Sequence, residues 1–476
     1  MLKRQLINLR TWGLPAFILF FCTSLAIPSG VAGDYDPLKH PNEIGVMLSD
    51  SNNLDRSRSD FTADIILPAC SARVTVDCLE SVSIYKNGNP KTSAIFLGQA
   101  AGVTPASKLV PGLPQAGEAN LFSAAPESGI SGAQKYSVKL IEHLTYSDVL
   151  NKFEHYNLAI FVQPYEVEQN NQYKSSSYYD FQKYAWFGDG EAGLIADFPE
   201  DVRISVTVRM PKGDGGWFSG RITDPIVQLK SEAKYNVLTI DALPATVQKI
   251  QAWVPVDKKT PGMAKLGMNA GGNHSIESGF DDPPHTTSVE WTEQLRPFVG
   301  DRSTSEESVW VVRSTYIQND CFPNNRISGF VATNAMAYSW NPPVLKNGFL
   351  DYKVGGMHTT STGELTKGTY DLVLNSETAR CLYKFSSAPI SATVSIVGSS
   401  GESQSVQTTL LTERDGFLKL SAYGFTFSSP VVRVKLEQEK SATETKKLKT
   451  ITCMKGSTLK KVTALVPKCP AGFKAK

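Results

Sequence analysis

The sequence has few of the residues and motifs on which common catalytic and metal sites depend. Its six histidines are scattered, and none stands in an HExxH motif, which argues against the zinc hydrolases that use this signature. A GxSxG elbow is missing. The SxxK tetrads at 231–234 and 457–460 have no Ser-Asp-Asn partner, so enzymes of the penicillin-binding type are not indicated. We therefore predict no catalytic residue and no cofactor.

Acidic residues are missing before Asp34, while three basic residues stand among the first ten. An apolar stretch over 14–27 follows, and small residues occupy 31–33. This order is typical of a cleavable secretory signal peptide. A retained anchor is the less favoured alternative, because a spanning helix needs about 20 apolar residues. No other segment is apolar enough to cross a bilayer. We expect a secreted protein without a membrane span after cleavage.

Six of the seven cysteines remain once Cys22 leaves with the signal. An even number in an exported chain predicts disulfides rather than free thiols. Zinc is disfavoured, because no CxxC spacing occurs and no histidine lies at ligand distance in sequence. Six cysteines allow fifteen connectivities, and loop closure favours local pairing. The favoured couples are Cys70 with Cys78, Cys321 with Cys381, and Cys453 with Cys469.

The net charge of +2 hides a strong asymmetry along the chain. Residues 441–476 contain nine lysines and one acid, Glu444. Once this tail and the signal are set aside, residues 34–440 carry −9. An acidic body is unsuited to a nucleic-acid binder. The cationic tail suits an anionic surface such as a cell-wall polymer or lipid headgroups, and plain solubility is the alternative.

The strongest strand pattern runs over 202–210, where apolar residues alternate with polar ones and predict one buried and one wet face. Residues 288–296 are the one good helix candidate. Short strands at regular spacing predict a mostly β fold of antiparallel sheets, with two β-sandwich-like domains, one short helix between them and a small disulfide tail. Further strands are predicted at 217–229, 235–240, 247–254, 310–313, 327–338, 369–374, 380–385, 392–397, 405–411, 417–427 and 431–436.

These elements suggest five segments in the chain, which has ~440 residues after the signal and is long enough for two or three domains. They are a signal peptide (1–33), an N-terminal β domain (34–256) with a loop insertion near 98–132, an irregular linker (257–305), a C-terminal β-sandwich (306–440) and a basic two-cysteine tail (441–476).

Two groups of residues are candidates for ligand binding. In one Gly-rich loop, His274, Asp281, Asp282 and His285 fall within twelve residues and could gather around a divalent ion. A polar surface loop is the alternative. Aromatic residues crowd 173–187 after two asparagines, and aromatic faces can stack on sugar rings while amides bind hydroxyls. Packing of these aromatics in a core is the alternative. The glycan candidates are Tyr178, Tyr179, Trp186 and Trp217.

Several short stretches resemble known sequences. They are the segment from Cys70 to Ser81, GWFSGR at 216–221, ARCLY at 379–383 and the tail from Thr450 to Phe473. Together they are similar to a family of large secreted actinobacterial proteins, and the tail resembles a two-cysteine, lysine-rich module at the C-termini of exported proteins. The resemblance implies an exported β-rich architecture and a surface-tethering tail. That family has no assigned chemistry, so no catalytic residue carries over.

We therefore expect a secreted or envelope-associated, non-catalytic protein with a binding or structural role. The alternative is a glycan-binding protein or a carbohydrate-active hydrolase that uses the aromatic residues and nearby carboxylates.

Overall fold

The computed structural model describes most of the chain in separate ranges. They are 46–48, 62–72, 74–99, 119–147, 149–150, 152–172, 184–186, 191–212, 216–268, 272–276, 286–315, 320–321, 327–339, 341–384, 390–397, 403–410, 412–427, 431–438 and 449–476.

Strands dominate these ranges. In chain order they are Val46–Leu48 (β1), Thr62–Ile66 (β2), Cys78–Lys86 (β3), Ile95–Gln99 (β4), Asn120–Ser123 (β5), Lys135–Ser147 (β6), Lys152–Gln172 (β7), Tyr184–Trp186 (β8), Glu191–Ile195 (β9), Val202–Pro211 (β10), Gly216–Ser231 (β11), Tyr235–Val254 (β12), Gly272–Ile276 (β13), Ser305–Thr315 (β14), Ile327–Thr333 (β15), Ala337–Tyr338 (β16), Val344–Lys346 (β17), Phe349–Gly355 (β18), Gly368–Asn375 (β19), Ile390–Val397 (β20), Ser403–Leu410 (β21), Thr412–Arg414 (β22), Phe417–Phe425 (β23), Val431–Gln438 (β24), Lys449–Lys455 (β25), Thr458–Ala464 (β26) and Lys474–Ala475 (β27). The α-helices are Pro261–Lys265 (α1), Thr286–Val299 (α2) and Ser376–Tyr383 (α3), and short 3-10 helices lie at Pro126–Ser128 and Val256–Lys258.

The strands confirm the predicted fold class, because the chain is mostly β and its sheets are dominated by antiparallel pairs. Among the described strands, β11 and β15 form the one parallel pair. The strands belong to an 18-stranded network, a six-stranded sheet and a three-stranded sheet made by the tail.

The body has three layers of strands, and the middle layer, which includes β15 and β19, lies between two hydrophobic cores. Neighbouring residues on its strands alternate between the cores: Phe330 of β15 packs in the first core and Val331 in the second. On β19, Val373 and Leu372 divide in the same way. β3, β10 and β12 belong to the first layer, which covers the first core. β18, β20 and β24 belong to the third layer, which covers the second core. The middle strands are therefore apolar on both faces, and every residue of β15 is buried.

Long strands link the first two layers by crossing from one to the other. β11 pairs with β14 and β15 over 216–221 and then with β12 over 222–231. β12 pairs with β10 over 235–242, and its later part pairs with β14 and β13. Such corners need a bulge or bend in the strand. In β11 the register shifts between Thr223 and Ile226.

The structure differs from one local prediction and adds a strand within another predicted segment. The predicted strand 380–385 lies largely in helix α3, which Asn375 caps by accepting hydrogen bonds from the amides of Glu377 and Thr378. Side-chain capping of this kind favours a helix start. Within the predicted loop insertion at 98–132, residues 120–123 form strand β5, which pairs with both β4 and β6, while residues 100–118 lie outside the described residues. The predicted helix at 288–296 is confirmed in α2, which is longer by two or three residues at each end.

The predicted cysteine pairing is confirmed in all three couples. The Cα atoms lie 4.9 Å apart for Cys70 and Cys78, 5.5 Å for Cys321 and Cys381, and 5.6 Å for Cys453 and Cys469. These separations are within the usual range for a disulfide.

Candidate functional site

The glycan candidates fall in different surroundings. Trp217 is 0% exposed and its indole packs in the second core, so this ring has no face open to a sugar. Gly329 leaves room for it, because a Cβ there would lie 2.2 Å from the ring. Trp186 ends the short strand β8. Tyr178, Tyr179 and the side chain of Trp186 lie outside the described residues, so glycan binding stays a prediction.

The metal candidates are only partly described. His274 lies on β13, where it is the cross-strand partner of Ala252 on β12. Asp281, Asp282 and His285 lie outside the described residues, so this ion site also stays a prediction. Among the residues that are described, no group of three or more histidine, cysteine or acidic side chains is placed to hold a metal ion.

A group of charged and hydroxyl side chains lies at the corner of β11, where this strand crosses from the first to the middle layer. We call it the corner cluster. It consists of Tyr85, Lys91, Arg203, Ser205, Asp224, Asp241, Asp371, Lys419, Ser421 and Tyr423. Arg203 and Ser205 stand on the side of β10 that the sequence predicted to be wet, and this prediction is wrong there, because they are 5% and 1% exposed.

Arg203 is the centre of the corner cluster. Its Nε donates to Asp241 at 2.5 Å, and its Nη1 donates to the carboxylate of Asp224 at 3.0 Å. Nη2 donates to the backbone carbonyls of the same two residues. Burial lowers the pKa of Arg203, but the two carboxylates outweigh this and raise it. Asp241 also accepts from the hydroxyl of Tyr85 at 2.7 Å, and Lys91 lies 3.6 Å away.

Asp224 is positioned by the bend of β11. Its φ of +51° is unusual for a residue with a side chain, and Pro225 follows it. Its carboxylate binds Lys419 of β23 as well as Arg203, and its amide donates to Asp371 of β19 at 3.1 Å. Burial raises the pKa of Asp224, but Lys419 and Arg203 outweigh it and keep the pKa below its usual value. The bend thus connects β10 of the first layer with β19 and β23 of the middle layer.

Asp371 is fully buried. Its carboxyl accepts from the hydroxyls of Ser421 and Tyr423, the latter at 2.8 Å. Burial raises its pKa although these hydrogen bonds and Lys419 act in the opposite direction.

The corner cluster has one feature of an acid–base pair, because Asp224 and Asp371 have pKa values shifted in opposite directions. However, a catalytic acid must reach its substrate, and Asp371 is 0% exposed. Each carboxylate of the cluster is also held by cations, hydroxyls or an amide. The arrangement is suited to clamping the two layers together.

The tail forms a small separate sheet in which β25 lies between β26 and β27. A two-residue loop joins β25 to β26, and Gly456 takes its first position with φ +59°, as glycine readily does. The disulfide to Cys469 draws the segment 465–473 over one face, where Cys453 is 0% exposed. We call the opposite side the open face.

The tail is strongly cationic on its surface. Residues 445–476 contain no acidic residue. Every tail lysine whose side chain is described is exposed: Lys455, Lys460, Lys461, Lys468, Lys474 and Lys476.

No family model, curated protein or solved structure matches this chain. In the described ranges, none of the helices has the length and apolarity needed to cross a bilayer.

Proposed function

We propose that the protein is exported and held at the cell envelope by its cationic tail, while the layered body has a non-catalytic binding or structural role. The observation that carries the proposal is the exposure of the tail lysines without an acidic side chain among residues 445–476. Charges of one sign on a small sheet add their potentials and attract an anionic surface.

The disulfides of the body and tail support export, because such bonds persist in oxidising compartments. The tail bond also favours a folded tether, since a sheet of fewer than 30 residues is too small for a sufficient core. The engagement of every carboxylate in the corner cluster supports a non-catalytic body.

Deletion of residues 441–476 tests the proposal in cells that export the protein. We expect the deleted form to leave the cell fraction and accumulate in the medium with its body folded. A salt wash should release the full chain, because salt screens the attraction between exposed charges, with a Debye length of about 10 Å at 0.1 M. Equal retention of the full and deleted chains would contradict the tether.

A further inference from the structure

The open face of the tail sheet carries apolar side chains as well as lysines. Met454 and Leu459 are direct cross-strand partners on β25 and β26. They are 41% and 56% exposed. Opposed residues on neighbouring strands project to the same face, so the two side chains form one exposed apolar pair.

Three lysines flank this pair on the same face. Lys474 of β27 is the cross-strand partner of Met454. Lys461 of β26 is the partner of Thr452, which is two residues from Met454 on β25. Lys476 follows Lys474 by two residues, and its amide donates to the carbonyl of Thr452 at 2.9 Å. Because side chains alternate along a strand, all three lysines share the open face.

The covered face differs in its apolar contacts. There Ile451 and Val462 are cross-strand partners, and both are more sheltered than the pair on the open face. Among the cross-strand partners of the tail sheet, the covered face therefore has a more sheltered apolar pair and the open face an exposed one.

We infer that the open face binds the surface of an anionic phospholipid bilayer. Met454 and Leu459 would enter the boundary between headgroups and acyl chains, while Lys461, Lys474 and Lys476 bind lipid phosphates. Basic side chains around a small apolar centre are the pattern of proteins that lie on a membrane. A soluble anionic wall polymer would use the lysines but would give the apolar pair no role. The inference rests on the proposed tether and names its target.

Vesicle flotation with the full mature chain tests the inference, using phosphatidylcholine vesicles with and without phosphatidylglycerol. The open-face charge variant is Lys461→Gln/Lys474→Gln/Lys476→Gln. A matched variant, Lys455→Gln/Lys460→Gln/Lys468→Gln, removes the same charge elsewhere in the tail. The apolar variant is Met454→Ser/Leu459→Ser. All these side chains are exposed, and circular dichroism with thiol titration checks that each variant keeps its fold and disulfides.

We expect binding to the anionic vesicles only. The open-face charge variant should bind roughly 100-fold more weakly, at about fivefold per lysine near the surface, and the matched variant should lose clearly less. The apolar variant should lose roughly tenfold, and this loss should persist at high salt.

Equal losses in the two charge variants, or unchanged binding of the apolar variant, would overturn the inference. A soluble poly(glycerol phosphate) that competes with vesicles equally well for the parent and the apolar variant would also overturn it. The proposed tether fails separately, if deletion of the tail leaves the protein on cells.

Discussion

Replacement of Arg203 by methionine tests whether the corner cluster holds the first and middle layers together. The variant removes a guanidinium that is 5% exposed and leaves Asp241, 6% exposed, with Tyr85 and the more distant Lys91. Breaking a buried ion pair from one side costs about 3–5 kcal/mol, because the other charge stays buried. Since Tyr85 still donates to Asp241, we expect the lower end, a loss of about 3 kcal/mol in the free energy of unfolding.

The same strand offers a matched control. Arg209 pairs with Glu80 at 2.7 Å, but these side chains are 25% and 32% exposed. Arg209→Met should therefore cost at most about 1 kcal/mol. The double variant Arg203→Met/Asp241→Leu removes both buried charges, and it should be destabilised by less than the sum of the two single variants.

Denaturant unfolding followed by tryptophan fluorescence measures these free energies. Trp310 is fully buried, and its indole donates to the carbonyl of Ala242 at 3.2 Å, one residue from Asp241. The fluorescence of the chain therefore includes one reporter in the neighbourhood of the cluster. Similar small losses in Arg203→Met and Arg209→Met, with additive effects in the double variant, would refute the reasoning.

Two further predictions concern titration and cross-linking. Burial raises the pKa of Asp371 above its ordinary 3.8, so its ionisation costs stability; this cost is absent below pH 3.8 and grows as the pH rises through the raised pKa. In a pH series of unfolding curves, Asp371→Asn should lack this loss of stability with rising pH, and the same pH dependence in the parent and the variant would contradict the prediction. The pair Cys321→Ser/Cys381→Ser opens a loop with a sequence separation of 60 residues and should cost about 4 kcal/mol. The control Cys453→Ser/Cys469→Ser should leave the fluorescence transition unchanged, because all tryptophans lie outside the tail; an equal shift from both pairs would argue against this assignment.

Much of the secondary structure could be predicted because burial on one face leaves a periodic pattern. β10 was predicted at 202–210 and ends at Pro211, and local cysteine spacing gave the disulfide pairs. Helix α3 could not be found in this way, because its eight residues are too few to show a sustained helical repeat of apolar residues. Its start depends on the side chain of Asn375, which caps the helix. Asparagine is a favoured residue at this position, but the regular spacing of the neighbouring strands led to the prediction of another strand.

The corner cluster could not be predicted, because its members come from six strands and the loop that follows β3, and they are separated by up to 338 residues. Arg203 and Ser205 look like the wet face of an amphipathic strand until their partners Asp241, Asp224 and Lys91 are placed. One local signal was present: Asp224 followed by Pro225 inside an apparent strand indicates a bend. The open face of the tail, by contrast, follows from alternation once the register of β25 and β26 is known.

The shared middle layer has a consequence for how the chain can evolve and be divided. Phe330 and Val331 face opposite cores, so a fragment that ends before β15 would strip one wall from each of them. Neither the part before β15 nor the part from β15 onward could be excised, exchanged or duplicated without leaving the other part with an uncovered apolar face. Only the tail, with its own sheet and its own cross-link, is built as a detachable piece.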